Sequence, residues 1–381
     1  VHYFSIATDH KFIKSIDSRF TSPFICYVIL LQVSVVRYLP HRNRISLMEF
    51  YQADPTLENY WRGVILFGKN VASYKFALAH ALYEIDKTGS DIITLDELAV
   101  PFSRHLCEHL KHAPKQITSS RSQFLDTCAQ FNNEEVSHNQ LIETTVQRGF
   151  ANVIDAFHNV NGGEIEKRFF IDERKTHNGI RLTDNFYHLG ERQQYQNLAF
   201  ETTARWNLVE QAWAMGVSRN LVGVEFDEDN QLLFSHVNAR RVNITSCRDS
   251  LNGYQKGRCF YCFKPISLTP GDPELADVDH FIPWAARDKV ANINGVWNLV
   301  LACQCCNRGK SACLPEMEFL QRLHARNEYF IQSKLPLHET IVKQTGKQLA
   351  VRKDFLNKNW NTAFFRQLRT WKPNAEGEAT F

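Results

Sequence analysis

Six of the ten cysteines fall between positions 259 and 313, and four of them make two pairs, Cys259-Phe-Tyr-Cys262 and Cys303-Gln-Cys-Cys306. A C-x2-C turn sets two thiolates about a tetrahedral edge apart, so two such turns predict one closed four-cysteine zinc site. Four bound thiolates leave no position open for a substrate, which makes that zinc structural. Cys305 competes for the second pair, although Cys303 and Cys306 have the better spacing, and Cys313 is left over. The other four, Cys26, Cys107, Cys128 and Cys247, are scattered as buried thiols usually are. Paired clusters in a chain of 381 residues fit a metal site in a reducing compartment, and hence a cytoplasmic protein, better than a secreted disulfide scaffold.

Between and after the two turns lie Asp277-Val-Asp-His-Phe-Ile-Pro283 and Asn298-Leu-Val-Leu-Ala-Cys-Gln-Cys-Cys-Asn307-Arg-Gly-Lys310. A lone Asp-His pair says little; its place inside a zinc frame, followed by two asparagines and a basic turn, says more. The stretch 259–315 resembles the HNH (ββα-metal) endonuclease domain, whose pattern is C-x2-C, D-H-x-x-P, N, then C-x2-C-N-x-x-K. The DVDHFIPW and CNRGKSACLP pieces are similar to the HNH domain of RNA-guided CRISPR nucleases. The third letter of the pattern, usually histidine, is Asn307, so the resemblance is to an H-N-N variant.

That resemblance implies phosphodiester hydrolysis, which needs an activated water, in-line attack and a cation for the developing charge. His280 is the implied general base, since an imidazole titrates near neutral pH. Asp279 and Asn307 are the implied ligands of a hard divalent ion, Mg2+ or Mn2+, which polarises the phosphate and stabilises the departing oxygen. Asn298 would orient His280 through backbone or ring hydrogen bonds. Asp277 reads as a supporting or solvent-facing carboxylate. Arg308 and Lys310 flank the metal helix and are expected on phosphates, as are Lys256 and Arg258 just upstream.

Lys and Arg number 44 against 41 Asp and Glu, a net charge of +3, so any contact with a polyanion must come from a local patch. Residues 239–258 carry five cations against one acid, and 316–372 add Arg322, Arg326, Arg352 and others. These flanks are expected to grip phosphates without reading sequence.

The elements that must position this chemistry are mostly helical. Apolar spacing predicts helix over 57–85, although Gly63 and Gly68 weaken a single unbroken one. Thr94-Leu-Asp-Glu97 is a capping box opening a helix over 95–112. Helices are also expected over 119–130, 135–160 and 191–215, and a hairpin from 222–226 and 232–237. Trp61, Tyr74, Trp206 and Trp213 are expected as core anchors, and Trp360, Phe364, Phe365 and Trp371 as docking residues of the last helices. The apolar run 24–36 is too short to span a bilayer and no small-residue cleavage site follows it, so no membrane association is expected.

The expected fold is α+β, predominantly helical, with a zinc-braced ββα-metal module. Residues 1–47 read as an extension outside the functional fold, 48–238 as a helical recognition or regulatory domain, 239–320 as the nuclease domain and 321–381 as helices packed on it. The expected function is a metal-dependent DNA endonuclease that nicks as a monomer. The layout suits a prokaryotic defence or restriction effector, with other subunits of such a system as partners. A mobile-element homing nuclease and a catalytically silent zinc-ribbon binding module are the alternatives. The quartet Asp279, His280, Asn298 and Asn307 speaks against the silent module, which has no use for it.

Overall fold

The computed structural model describes residues 50 and 54–380, apart from 70, 86–88, 120, 215–223, 238–239, 334–335, 366–368 and 376. The expected extension over 1–47, with its apolar run, lies outside the described residues. Residues Ile45–Phe381 form one compact unit.

Local signals decide where the helices stop. The stretch 57–85 folds as two helices, α1 (Leu57–Phe67) and α2 (Tyr74–Glu84). The break falls at Gly68, which turns extended; a Cβ there would stand 2.5 Å from the Val64 carbonyl oxygen. Strand β1 (Ile92–Thr94) leads into α3 (Leu95–Leu110), where Thr94 and Glu97 close the capping box. Helix α4 (Gln123–Asn132) follows.

The single helix expected over 135–160 is broken up. Helix α5 (His138–Thr144) passes into a π turn at Thr145–Gly149, then a short helix at Val153–Ala156 and a strand at Asn159–Val160. The π turn brings Gly149 against the Phe102 and Phe124 rings, 3.1 and 3.2 Å from where its Cβ would be.

Strands β2 (Phe170–Glu173) and β3 (Gly179–Leu182) join β1 in a three-stranded antiparallel sheet with β3 at its centre. Helix α6 (Tyr195–Ala214) then crosses the body. The expected hairpin forms from β4 (Glu225–Asp227) and β5 (Leu232–Val237), and β6 (Arg240–Ser246) extends it to three strands.

The region around the cysteine pairs is small. Helix α7 (Cys247–Asn252) precedes the first cysteine pair; β7 (Asp277–His280) and β8 (Leu299–Ala302) pair antiparallel, and α8 (Gln304–Lys310) follows directly. After β9 (Leu314–Pro315) come α9 (Glu318–Gln332), α10 (Pro336–Thr345) and α11 (Leu349–Phe364), and the last strand, β10 (Thr370–Trp371), returns parallel to β9. The architecture is α+β, as the sequence predicts.

One hydrophobic core runs from the helical body into this region. Trp61 is fully buried among Tyr83, Phe157, Phe169 and Phe186, and Trp206 is buried against Phe76. Trp360 is buried too, whereas Phe364 and Phe365 are exposed, so the expected docking role holds for part of that aromatic set. Among the described residues no helix is long and apolar enough to cross a membrane.

Candidate active site and zinc frame

The sulfurs of Cys259, Cys262, Cys303 and Cys306 all lie within 4.8 Å of one another, and all four residues are buried. A tetrahedral zinc with Zn–S near 2.3 Å puts its sulfurs about 3.8 Å apart. The Cys262 and Cys303 sulfurs stand 3.7 Å apart, so the cluster fits the ion. Cys305 is exposed and Cys313 half-buried, and neither belongs to the cluster. Hydrogen bonding from Cys259 holds the Cys262 thiol below its ordinary range.

The frame holds the hairpin by backbone groups. The Phe260 amide donates to the Leu301 carbonyl, and Gln255, fully buried, both accepts from the Leu301 amide and donates to its carbonyl. Strand β8 is thereby fixed along its outer edge. From the other side Arg326 donates to the Leu299 and Trp297 carbonyls, and Arg322 to those of Phe260 and Tyr261.

Period-two alternation puts Asp277 and Asp279 on one face of β7, and Asn307 and Lys310, a helical turn apart on α8, reach that face. The pairs they form differ from those the sequence suggests. Asn307 Nδ2 donates to Asp277 Oδ2 at 3.0 Å. Asp279, only 8 % exposed, instead accepts from the Tyr261 hydroxyl at 2.6 Å and from Lys310 Nζ at 3.0 Å. Lys310 Nζ also donates to the His280 carbonyl at 2.8 Å. Asp277, expected in a supporting role, is thus the carboxylate that Asn307 touches. Burial and the neighbouring Asp279 raise the Tyr261 hydroxyl well above its ordinary range, so it stays protonated as a donor.

His280 closes β7 and turns its ring elsewhere. Its Nε2 lies 2.6 Å from Asn294 Oδ1. An amide oxygen only accepts, so this bond places the ring proton on Nε2 and leaves the Nδ1 lone pair as the basic one. The ring is flanked by Phe226 at 6.2 Å and Trp284 at 5.7 Å between centroids. Asn298, fully buried, works on the backbone beyond: its Oδ1 accepts from the Ile282 amide, and its Nδ2 donates to the Ile282 and Ile293 carbonyls. It fixes the loop leaving His280 and the loop carrying Asn294, with no hydrogen bond to the ring. The His280 ring and the Asn307 side chain make separate contacts; Lys310 links their neighbourhoods through Asp279 and the His280 carbonyl.

Several expected phosphate cations turn inward, a correction to the sequence reading. Lys310 is 1 % exposed, its ammonium being taken up by Asp279 and the His280 carbonyl. Lys256 is buried over the Phe50 ring and donates to the Thr380 carbonyl. Arg326 is buried on carbonyls and Arg352 is buried on Glu328. Arg258 is half-buried and Arg308 exposed, and in the C-terminal flank Lys347, Lys353, Lys358, Arg369 and Lys372 are exposed as well.

Asp277 and Asn307, joined by their hydrogen bond, present oxygen donors of the kind hard divalent cations take, whereas the two Asp279 oxygens are taken by Tyr261 and Lys310. Three residues here lay outside the sequence expectation. Tyr261 and Asn294 sit at positions the recognised pattern leaves as variable letters, and Trp284 is the unremarked last letter of DVDHFIPW.

A family model, HNH endonuclease, matches residues 259–312. No curated protein and no solved structure matches the chain. The region containing the cysteine frame, the hairpin and α8 is an HNH-type nuclease domain, a kind of domain that binds nucleic acid.

Proposed function

We propose that the protein is a metal-dependent endonuclease that hydrolyses DNA phosphodiester bonds. The observation that carries this reading is the HNH match over 259–312, coincident with a hairpin and helix braced by four clustered sulfurs. In this reading Nδ1 of His280 takes the proton of the attacking water, while Asn294 holds the ring and keeps the Nε2 proton in place. Asp279, Asp277 and Asn307 hold a Mg2+ or Mn2+ ion, which supplies charge stabilisation at the phosphate when bound. Asn298 keeps the His280 loop at a fixed angle, and Tyr261 fixes the Asp279 carboxylate. The ion in the cysteine frame has no role in the chemistry.

One active site cuts one strand, so a single copy nicks. DNA is preferred because the family mostly acts on DNA, and the helical body over 48–238 would recognise the target or restrain the site. A restriction or defence role is the setting that best suits a nuclease module fused to such a body. The test is supercoiled plasmid with Mg2+ or Mn2+, with EDTA, and with His280→Ala. Nicked circle that accumulates before linear product, and that disappears with EDTA and in the variant, is the expected result. Intact plasmid under every divalent ion, combined with tight DNA binding, would replace this reading with that of a silent binding module.

A further inference from the structure

Trp284 breaks the pattern of the other large aromatics around the nuclease domain. Trp297 is fully buried and Trp360 nearly so, yet Trp284 is 40 % exposed, directly beside the catalytic histidine ring. Its exposure is built in by the backbone. Pro283 fixes the entry to a 3-10 turn over Trp284–Ala286, in which the Ala286 amide donates to the Pro283 carbonyl. Ala286 and Val290 are the residues that pack inward, and the Val290 amide donates to the Ala286 carbonyl. The indole is therefore presented outward on a pinned turn. The Arg287 guanidinium lies 5.4 Å from its centroid, and Arg287 and Lys289 are exposed on the same turn.

An indole with an open face, backed by a cation and set next to the general base, suits a nucleotide. Bases stack on aromatic rings whatever their identity, and arginine adds a cation for the adjoining phosphate. We infer that Trp284 stacks on a base of the bound strand next to the scissile phosphate, with Arg287 on a neighbouring phosphate. This rests on the nuclease reading and deepens it by naming the substrate. In an intact duplex both faces of each base are covered by its neighbours. A stacking Trp284 therefore favours DNA whose base at the cut is unpaired or displaced, over perfectly paired DNA.

The test uses the full chain with zinc bound, in a His280→Ala background so that binding is read without cleavage. The probes are short labelled DNA duplexes, either fully paired or with a central unpaired stretch, and the readout is fluorescence anisotropy. Trp284→Ala is expected to weaken binding to the unpaired probe roughly tenfold or more, and to narrow the difference between the probes. Trp284→Phe should retain most of the affinity and Trp284→Leu should not, because leucine covers apolar surface without stacking. Zinc content and circular dichroism of each variant show that the fold is kept. Unchanged binding by Trp284→Ala overturns the inference, as does equal rescue by leucine and phenylalanine.

With His280 restored, the inference expects Trp284→Ala to raise KM and leave the pH profile of kcat in place. A shifted pH profile with unchanged KM would make Trp284 a mere cover for the histidine and overturn the proposal. If the wild type binds through Trp284 yet cuts nothing, the inference stands and the nuclease reading falls.

Discussion

Asp279 shows how far a side chain's partners can differ from its motif role. Its carboxylate is buried and held from two sides, by the Tyr261 hydroxyl from within the first cysteine turn and by the Lys310 ammonium from α8. Removing one partner of a buried ion pair strands the other charge, at a loss of about 3–5 kcal/mol, whereas a hydrogen bond to a charged group is worth about 1.5–3 kcal/mol. Lys310→Met is therefore expected to lower the urea unfolding midpoint more than Tyr261→Phe. Tyr261→Phe should keep its zinc and fold yet lose cleavage rate, because Asp279 is then held by Lys310 from one side alone. Equal midpoints for the two variants would show that the ammonium is not what neutralises Asp279. The sequence marked Lys310 as a cation near the site, and the three-residue spacing from Asn307 places both on one face of a helix. It did not reveal that this face looks inward, because that depends on how β9, β10 and the Trp371 ring close over the module. The Trp371 ring packs 5.2 Å from that of Tyr261, and its atoms come within 3.4 Å of where a Cβ on Gly309 would be.

At the scale of elements, legibility followed the strength of the local signal. Ligand spacing located the zinc turns, and the Thr94–Glu97 capping box located the start of α3. The β1–β3–β2 sheet escaped notice because its strands are three or four residues long and β2 exposes Ile171 and Asp172 in succession, so no alternation stands out. What holds the edge of this sheet is a histidine. His158 Nε2 accepts from the Phe169 amide at 3.0 Å, one residue before β2 begins, and burial pushes its pKa down to about 3. The ring is neutral in the fold and titrates near 6.5 once unfolded, so the unfolded chain binds the extra proton between those values. The stability it contributes is complete above about pH 6.5 and drains away as pH falls toward 3, by up to about 1.4 kcal/mol per pH unit. His80, half-buried and likewise pushed down to about 3 by desolvation, adds the same sign of dependence. Urea midpoints of the wild type should fall steeply across that window, and those of His158→Gln less steeply, with the His80 part remaining. Parallel slopes would mean that His158 is already charged in the fold.

Across the whole molecule, the family match covers residues 259–312, but the contacts that hold this region reach well beyond it. From the helical body, Asn197 donates to the Ile266 carbonyl and accepts from the Leu268 amide, while Gln194 also donates to Ile266. Behind them Arg62 on α1 forms a buried two-bond pair with Glu201 on α6, and Asn252 at the end of α7 donates to the same carboxylate. From the C-terminal side Arg322 and Arg326 on α9 hold the first cysteine turn and the start of β8, and the Gly377 amide donates to the Cys262 carbonyl. A fragment over 245–315 would keep all four cysteines and Asp279, His280, Asn298 and Asn307, but would lose the partners on α1, α6, α9 and the C-terminal segment and leave Asn252 without Glu201. It would also leave Leu299–Ala302, fully buried in the intact chain, without the helices that cover them. Zinc would tether the two turns, but zinc alone replaces neither the buried arginines nor the apolar cover. The fragment with stoichiometric zinc is therefore expected to bind the metal yet show poorly dispersed amide resonances and no cooperative thermal transition. The full chain should unfold with one. A well-dispersed, cooperatively folding fragment would show that the helical body is an accessory to a self-sufficient nuclease module, and would turn attention to regulation as the reason the two are joined.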